Sequence, residues 1–255
     1  MLRTWVVTFL LLLATGCSRE SSDAVLRVGT SGEYPPFTFL EQGKLKGIEI
    51  DLAQRFAEEN RRTIELVQLP LAELMPALVA DRIDVIMAGF SETPEREASA
   101  RFTQPYLEVG QMALIRRSEL DLRSGQGLID TPETRIGFRS ATTGEQFLRS
   151  TIKRAQLRPF AEIEDGIAAL RAEQIDYFVH DAPTIWRIVG GFDSSESQLT
   201  GLYRPLTDEH IAWAVRKDDA ALAGQLDASL ARWQESGDLE LLLDTWIRVR
   251  RVVKD

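Results

Sequence analysis

The sequence predicts an α/β protein built as two lobes of similar construction, and three observations carry that expectation. Short β-runs break at small residues in two places: Leu26-Arg27-Val28-Gly29-Thr30 gives way to Ser31-Gly32, and Arg135-Ile136-Gly137-Phe138 to Ser140-Ala141-Thr142-Thr143-Gly144. Both breaks end in Gly-Glu. Next, Ala77 to Met87 is echoed by Ala169 to Val179, each a helix end, a tight turn and a buried strand, with Asp176 standing 92 residues after Asp84. That spacing is too long for a solenoid unit and fits a repeated lobe. Finally, the β-runs alternate with amphipathic stretches. Asp51 to Asn60 puts Leu52, Ala53, Phe56 and Ala57 on one face, and Ala221 to Trp233 does the same with Leu222, Leu226, Leu230 and Trp233. These stripes are core and imply no cofactor.

Taken from the N-terminus, Met1 to Thr4 carries one positive charge at Arg3, and Trp5 to Ala14 is apolar apart from Thr8. The run is too short for a stable span and suits the h-region of a signal peptide. It ends in Ala14-Thr15-Gly16-Cys17, small residues before a cysteine, which resembles a bacterial lipoprotein signal. Residues 1–16 are then expected to be removed, Cys17 to carry the lipid, and 17–23 to act as a linker. The box departs slightly, because Ala14 stands where Leu is usual. The alternative is a buried hydrophobic helix with an incidental cysteine. Loss of Arg3 with the signal takes the formal charge from −9 to −10. The rest of the chain has no thiol, so it is suited to an oxidising compartment.

Composition excludes several classes. With 39 acidic against 30 basic residues, a nucleic-acid partner is not expected, because such binding rests on basic neutralisation of phosphate. A chain of 255 residues buries a core without disulfide staples. The only histidines are His180 and His210, and there is no nucleophile elbow, phosphate loop or zinc spacing, so hydrolase and nucleotide-dependent classes have no support and no metal or cofactor is implied.

In α/β sheets, ligands gather beyond the carboxyl ends of strands. Here those ends are Ser31 to Phe37 and Ala88 to Arg96 in the first lobe, and Ser140 to Gln146 and His180 to Pro183 in the second. The motifs Gly29 to Phe37, Gly47 to Leu52, Ser91-Glu92-Thr93-Pro94-Glu95-Arg96 with Phe102 to Tyr106, Gly137 to Glu145, Asp176 to Asp181 and Val215 to Asp219 together resemble the family 3 extracellular solute-binding proteins, amino-acid receptors of bacterial ABC importers. The resemblance runs from about Leu26 to Ile247. It implies the type II periplasmic binding protein fold, two α/β lobes joined by a two-strand hinge, with lobe one at 24–108 and 209–255 and lobe two at 109–208. It also implies a monomeric, lipid-anchored periplasmic receptor that hands a small amino acid or carboxylate to an inner-membrane permease.

The same resemblance assigns roles. Arg96 would hold the ligand α-carboxylate, aided by Ser91 and the Gly89 backbone from one lobe and by Thr143 and the amides near Thr142 from the other. A guanidinium matches a carboxylate two-pronged, as lysine cannot. Residues alone favour a surface salt bridge from Arg96 to Glu92 or Glu95, and the resemblance reverses that preference. Asp181, after the apolar Tyr177-Phe178-Val179, would meet the ligand ammonium; it also suits a helix N-cap. Tyr34 would form an aromatic wall, with Leu71 opposite where family members carry an aromatic ring. Ser31 replaces an acidic residue that favours cationic ligands, and Ala88 replaces a serine. These changes argue toward a less basic ligand. Glu33, Glu92 and His180 read as solvated or capping.

The rivals are a cyclohexadienyl dehydratase, which shares the fold and an opening like Gly29 to Phe37, with Glu33 or Glu173 as proton donor, and a ligand-sensing module. The lobe-two loop Ser140 to Gly144 resembles the binders.

Overall fold

A computed structural model describes residues 25–123, 127–190 and 198–247. The expected signal segment, Cys17 and the linker at 17–23 lie outside the described residues.

The chain starts as β1 (Val25–Thr30), a hairpin-like trio β2 (Glu33–Tyr34), β3 (Thr38–Glu41) and β4 (Lys44–Lys46), then α1 (Ile48–Glu59), β5 (Thr63–Gln68), α2 (Leu71–Val79), β6 (Val85–Ile86), α3 (Pro94–Glu97) and β7 (Ala100–Phe102). It leaves the first lobe through β8 (Leu107–Val109). The second lobe holds β9 (Gln111–Arg116), α4 (Leu120–Arg123), β10 (Arg135–Arg139), α5 (Thr143–Thr151), β11 (Gln156–Phe160), α6 (Ile163–Arg171), β12 (Tyr177–Asp181), α7 (Ala182–Val189) and β13 (Leu199–Leu202). The chain returns through β14 (Glu209–Ile211) to β15 (Ala214–Arg216), α8 (Ala220–Ser236) and α9 (Asp238–Trp246).

Two five-stranded sheets result, ordered β5-β1-β6-β15-β7 and β11-β10-β12-β9-β13. β1 is parallel to β5 and β6, as β10 is to β11 and β12. An antiparallel strand then follows in each, β15 on β6 and β9 on β12. The sheets thus share one plan, except that the antiparallel strand is the last of its lobe's strands in the first case and the first in the second. Between them β8 and β14 pair antiparallel, Leu107 opposite Ile211 and Val109 opposite Glu209, forming the two-strand crossing.

The repeat seen in the sequence has a physical cause. Asp84 Oδ2 accepts the Arg27 backbone N–H at 2.8 Å and its Nε at 3.1 Å; Asp176 Oδ2 does the same for Arg135 at 2.8 and 3.1 Å. Each aspartate ties the turn after a helix to the start of the central strand. The turn residues Asp81 and Glu173 both adopt φ 57°, the left-handed conformation that closes the helix tightly enough for this reach. Core packing follows the predicted stripes: Leu52, Ala53, Phe56 and Ala57 of α1 are buried, as are Leu222, Leu226, Leu230 and Trp233 of α8. Burying each large side chain contributes about 1.5–3 kcal/mol. Among the described residues no helix is long and apolar enough to cross a membrane.

Candidate functional site

On the lobe-one side the site rests on a buried carboxylate. Glu49, in the first turn of α1, accepts hydrogen bonds from the Gly89 N–H at 2.7 Å, Tyr106 Oη at 2.9 Å and Trp213 Nε1 at 2.7 Å. Complete burial, partly offset by these donors, lifts its pKa to about 7. The bond fixes the loop after β6. Gly89 there has φ +64°, and a Cβ would lie 2.7 Å from the Phe37 ring and 2.8 Å from that of Tyr34, so only glycine fits.

Further along this loop, Thr93 Oγ1 accepts the Arg96 N–H at 3.2 Å, and Pro94 opens the short α3. This cap turns the Arg96 side chain back toward Ser91, whose carbonyl accepts from Nη1 at 2.7 Å. The guanidinium lies 3.7 Å over the Phe90 ring. Neither Glu92 nor Glu95 comes within salt-bridge distance, so the surface-pair alternative does not describe this arginine. Burial draws its pKa down to about 10 against the fields of Glu209 and Glu95. A cation is therefore held in a desolvated wall without a salt-bridge partner among the described residues.

Lobe two supplies the opposite wall. Thr142 caps α5, its Oγ1 accepting the Glu145 N–H at 3.3 Å and donating to the Arg139 carbonyl at 2.7 Å. That leaves the Thr143 hydroxyl facing the cleft. Asp181 occupies the N-cap position of α7 but its side chain makes no cap hydrogen bond; it is bonded instead by Gln111 Nε2. Burial, then the nearby Glu209, pushes the Asp181 pKa well up.

One pocket between the lobes collects nearly all the expected residues. Tyr34, Leu71, Gly89, Ser91 and Arg96 line it from the first lobe, and Thr142, Thr143 and Asp181 from the second. Ser31 does not line it. That residue is buried, with its hydroxyl accepting the Glu33 N–H at 3.4 Å and its carbonyl accepting from Gln68 at 3.2 Å. The local turn therefore consumes its polar groups.

His180 is also unlike its expectation. It is 3% exposed and lines the cavity from the C-terminal end of β12, beside Asp181. Nδ1 accepts the Asp181 N–H at 2.8 Å, which places the proton of the neutral ring on Nε2. Burial, with the charges of Arg139 and Arg187, holds its pKa near 3. His180 Nε2 and Tyr34 Oη are both buried with no hydrogen-bond partner, and both belong to cavity-lining side chains. Unpaired buried polar groups are costly, and two on one cavity wall offer a bound molecule hydrogen bonds that the protein does not use itself.

Residues without a sequence signal complete the site. Phe90 and Arg139 line the cavity, and Arg139 Nη2 donates to Glu33 Oε2 at 2.8 Å across the cleft. Glu33 is thus paired across the cleft while its side chain stays exposed, as expected. Arg139 ends β10, one residue short of the segment expected to hold ligand. Gln111, opening β9, and Glu209, opening β14, do not line the cavity but hydrogen-bond to residues that do: Gln111 to Asp181 and Thr143, Glu209 to Ser91 and Thr143. Glu173, entertained as a proton donor, sits on an exposed turn outside the cavity.

Chemically, the arrangement is bipolar: Arg96 with the Ser91 and Thr143 hydroxyls at one end, the Asp181 carboxylate at the other.

The chain is similar to known proteins along almost its whole length. Residues 26–249 match the model of the bacterial extracellular solute-binding proteins, family 3. A probable histidine-binding protein of Campylobacter jejuni is 29% identical over 73% of this chain and 70% of its own. A cyclohexadienyl dehydratase of Pseudomonas aeruginosa is 34% identical over 60% of each chain. Among solved structures, the ancestral amino acid-binding protein AncCDT-1, described as a precursor of cyclohexadienyl dehydratase, superposes with a TM-score of 0.79 at 26% identity, covering 88% of this chain and 95% of its own. With fold, cavity and family match in agreement, this chain belongs to the bacterial extracellular solute-binding proteins, family 3.

Proposed function

We propose that the protein is the substrate-binding receptor of an ABC importer and captures an amino acid, or a related small carboxylate, between its lobes. The observation that carries this reading is the pairing of poles in one cavity: the Arg96 guanidinium, without a salt bridge among the described residues, and the Asp181 carboxylate, without a cap bond. Arg96, Ser91 and the Gly89 amide from one lobe, with Thr143 and the Thr142 turn from the other, receive the ligand carboxylate. Asp181 receives its ammonium, and Tyr34 and Leu71 flank its side chain.

Ligand touches lobe one (24–108 and 209–255) and lobe two (109–208) together only when the cleft is shut. Its differential affinity therefore shifts the population to the closed form, with no covalent step. The body is delivered to an inner-membrane permease while Cys17 holds it to a bacterial membrane on the periplasmic side, as a monomer.

A dehydratase acting on a cyclohexadienyl acid is the second reading. It is favoured by the buried Asp181 carboxyl, whose raised pKa suits a proton donor. One experiment separates the two: a thermal-shift screen of the purified protein against the common amino acids, with prephenate and arogenate assayed for turnover. Stabilisation by an amino acid without turnover supports the receptor. Product formation from either acid overturns it.

A further inference from the structure

Two side chains at the crossing strands hydrogen-bond onto the walls of the cleft. Glu209 opens β14 at the crossing between lobes. Its Oε2 accepts from Ser91 Oγ at 2.8 Å and Thr143 Oγ1 at 2.7 Å, one hydroxyl from each lobe. Its Oε1 accepts from Thr207 Oγ1 at 2.8 Å and Gln111 Nε2 at 2.9 Å. The carboxylate therefore stands on the hydroxyls assigned above to a ligand carboxylate.

Gln111, opening β9 at the other crossing, fills the other pole. Its Nε2 lies within hydrogen-bond distance of three acceptors: Asp181 Oδ1, Glu209 Oε1, and Thr143 Oγ1 at 3.2 Å. An amide nitrogen carries two hydrogens, so it cannot serve three acceptors fully, whereas an ammonium carries three. The geometry around Gln111 is that of a cation seat held by a neutral substitute. The β8–β14 ladder itself pairs through backbone groups, Glu209 opposite Val109, and does not require these side-chain contacts.

We infer that Glu209 and Gln111 are specificity-determining residues, an internal carboxylate and amide that occupy the two poles of the cleft and yield only to a ligand bearing both a carboxylate and an adjacent ammonium. The inference rests on the proposed binding function and narrows its ligand class to α-amino acids. An acid lacking the amine displaces Glu209 but leaves Gln111 on Asp181, so it recovers only one of the two sets of bonds. The Glu209 carboxylate also bridges Ser91 of one lobe to Thr143 of the other, so a ligand displaces both bonds when it takes those hydroxyls. Apparent affinity falls in proportion to the fraction of molecules in the occluded form.

Two measurements on the full chain decide the matter, with Glu209→Ala and the shape-conserving Glu209→Gln as variants, each first shown to keep a cooperative melt. The first uses no ligand: amide hydrogen exchange of segments 89–91 and 142–144. Exchange at least fivefold faster in Glu209→Ala is expected, and unchanged exchange overturns the occupant. The second compares the common amino acids with their 2-oxo and 2-hydroxy counterparts by calorimetry. Both variants are expected to bind the wild type's preferred amino acid about fivefold or more tighter, and to gain proportionally more for the acids lacking an amine. Weaker amino-acid binding in both variants overturns the inference, because Glu209 is then itself a ligand contact. If no amino acid binds the wild type, the receptor reading fails, and exchange alone judges whether the occupant exists.

Discussion

Glu33 and Arg139 meet across the cleft, Oε2 to Nη2 at 2.8 Å, and so join the first β-hairpin of one lobe to the end of β10 in the other. The arginine is buried and the glutamate is half exposed, which makes this a latch that salt can weaken. Glu33→Gln is expected to raise the dissociation rate of a bound amino acid by about two- to fivefold, in line with about 0.2–1 kcal/mol for a partly exposed pair. Stopped-flow tryptophan fluorescence at low and high salt checks this. A rate that Glu33→Gln leaves unchanged at low salt removes the latch.

Arg96 offers a second test. Arg96→Ala should abolish thermal stabilisation by an amino acid while leaving the ligand-free melt nearly unchanged, because the side chain holds no salt bridge among the described residues. Arg96→Lys keeps the charge but loses the fork, and is expected to weaken binding at least tenfold, consistent with about 1.5–3 kcal/mol for a charged hydrogen bond. Full stabilisation of Arg96→Ala by the same ligand excludes the carboxylate assignment.

Glu49 makes stability depend on pH. Its pKa is raised in the folded state from 4.5 to about 7, so the folded protein binds the extra proton between those values. Stability from this group is complete below about pH 4.5, declines as pH rises through 7, and is flat beyond. The decline amounts to about 3 kcal/mol. Urea unfolding of the wild type minus Glu49→Gln, measured from pH 5 to 8, isolates the slope. A difference that does not fall with pH refutes it.

Gly89→Ala places a methyl against the Phe37 and Tyr34 rings at a left-handed backbone position. A loss of about 1–3 kcal/mol is expected from strain and overpacking. It should appear as a lower urea midpoint at unchanged slope, accompanied by weaker amino-acid binding because the Tyr34 wall shifts. Gly224→Ala, where a Cβ meets nothing within 4 Å, serves as the control and should not destabilise.

The lobes and their repeat were legible because they arise from local chemistry: Asp84 and Asp176 each follow a helix end at the same spacing and each anchors an arginine at a strand start. Arg96, Thr143 and Asp181 were legible because motif and strand-end logic agree on them. Leu71 entered through resemblance alone. What stayed hidden depends on tertiary crossing. Glu209 sits in Thr-Asp-Glu-His, a composition indistinguishable from a solvated turn, and only the return of the chain through β14 brings it to Ser91 and Thr143. Arg139 read as a charge at a strand end, and nothing local says that Glu33 faces it. Ser31 failed in the opposite sense, since its place after β1 suggested the cleft while the Glu33 amide claims its hydroxyl.

The shared sheet plan, with its antiparallel strand first in one lobe and last in the other, imposes an order in time. Lobe two is continuous, so its five strands emerge together and its sheet can close on its own. In lobe one the edge of β6 waits for β15, which arrives only after the whole second lobe has been made. The half of the molecule that starts first is finished last, and until then Val85 and Ile86 present an open apolar edge.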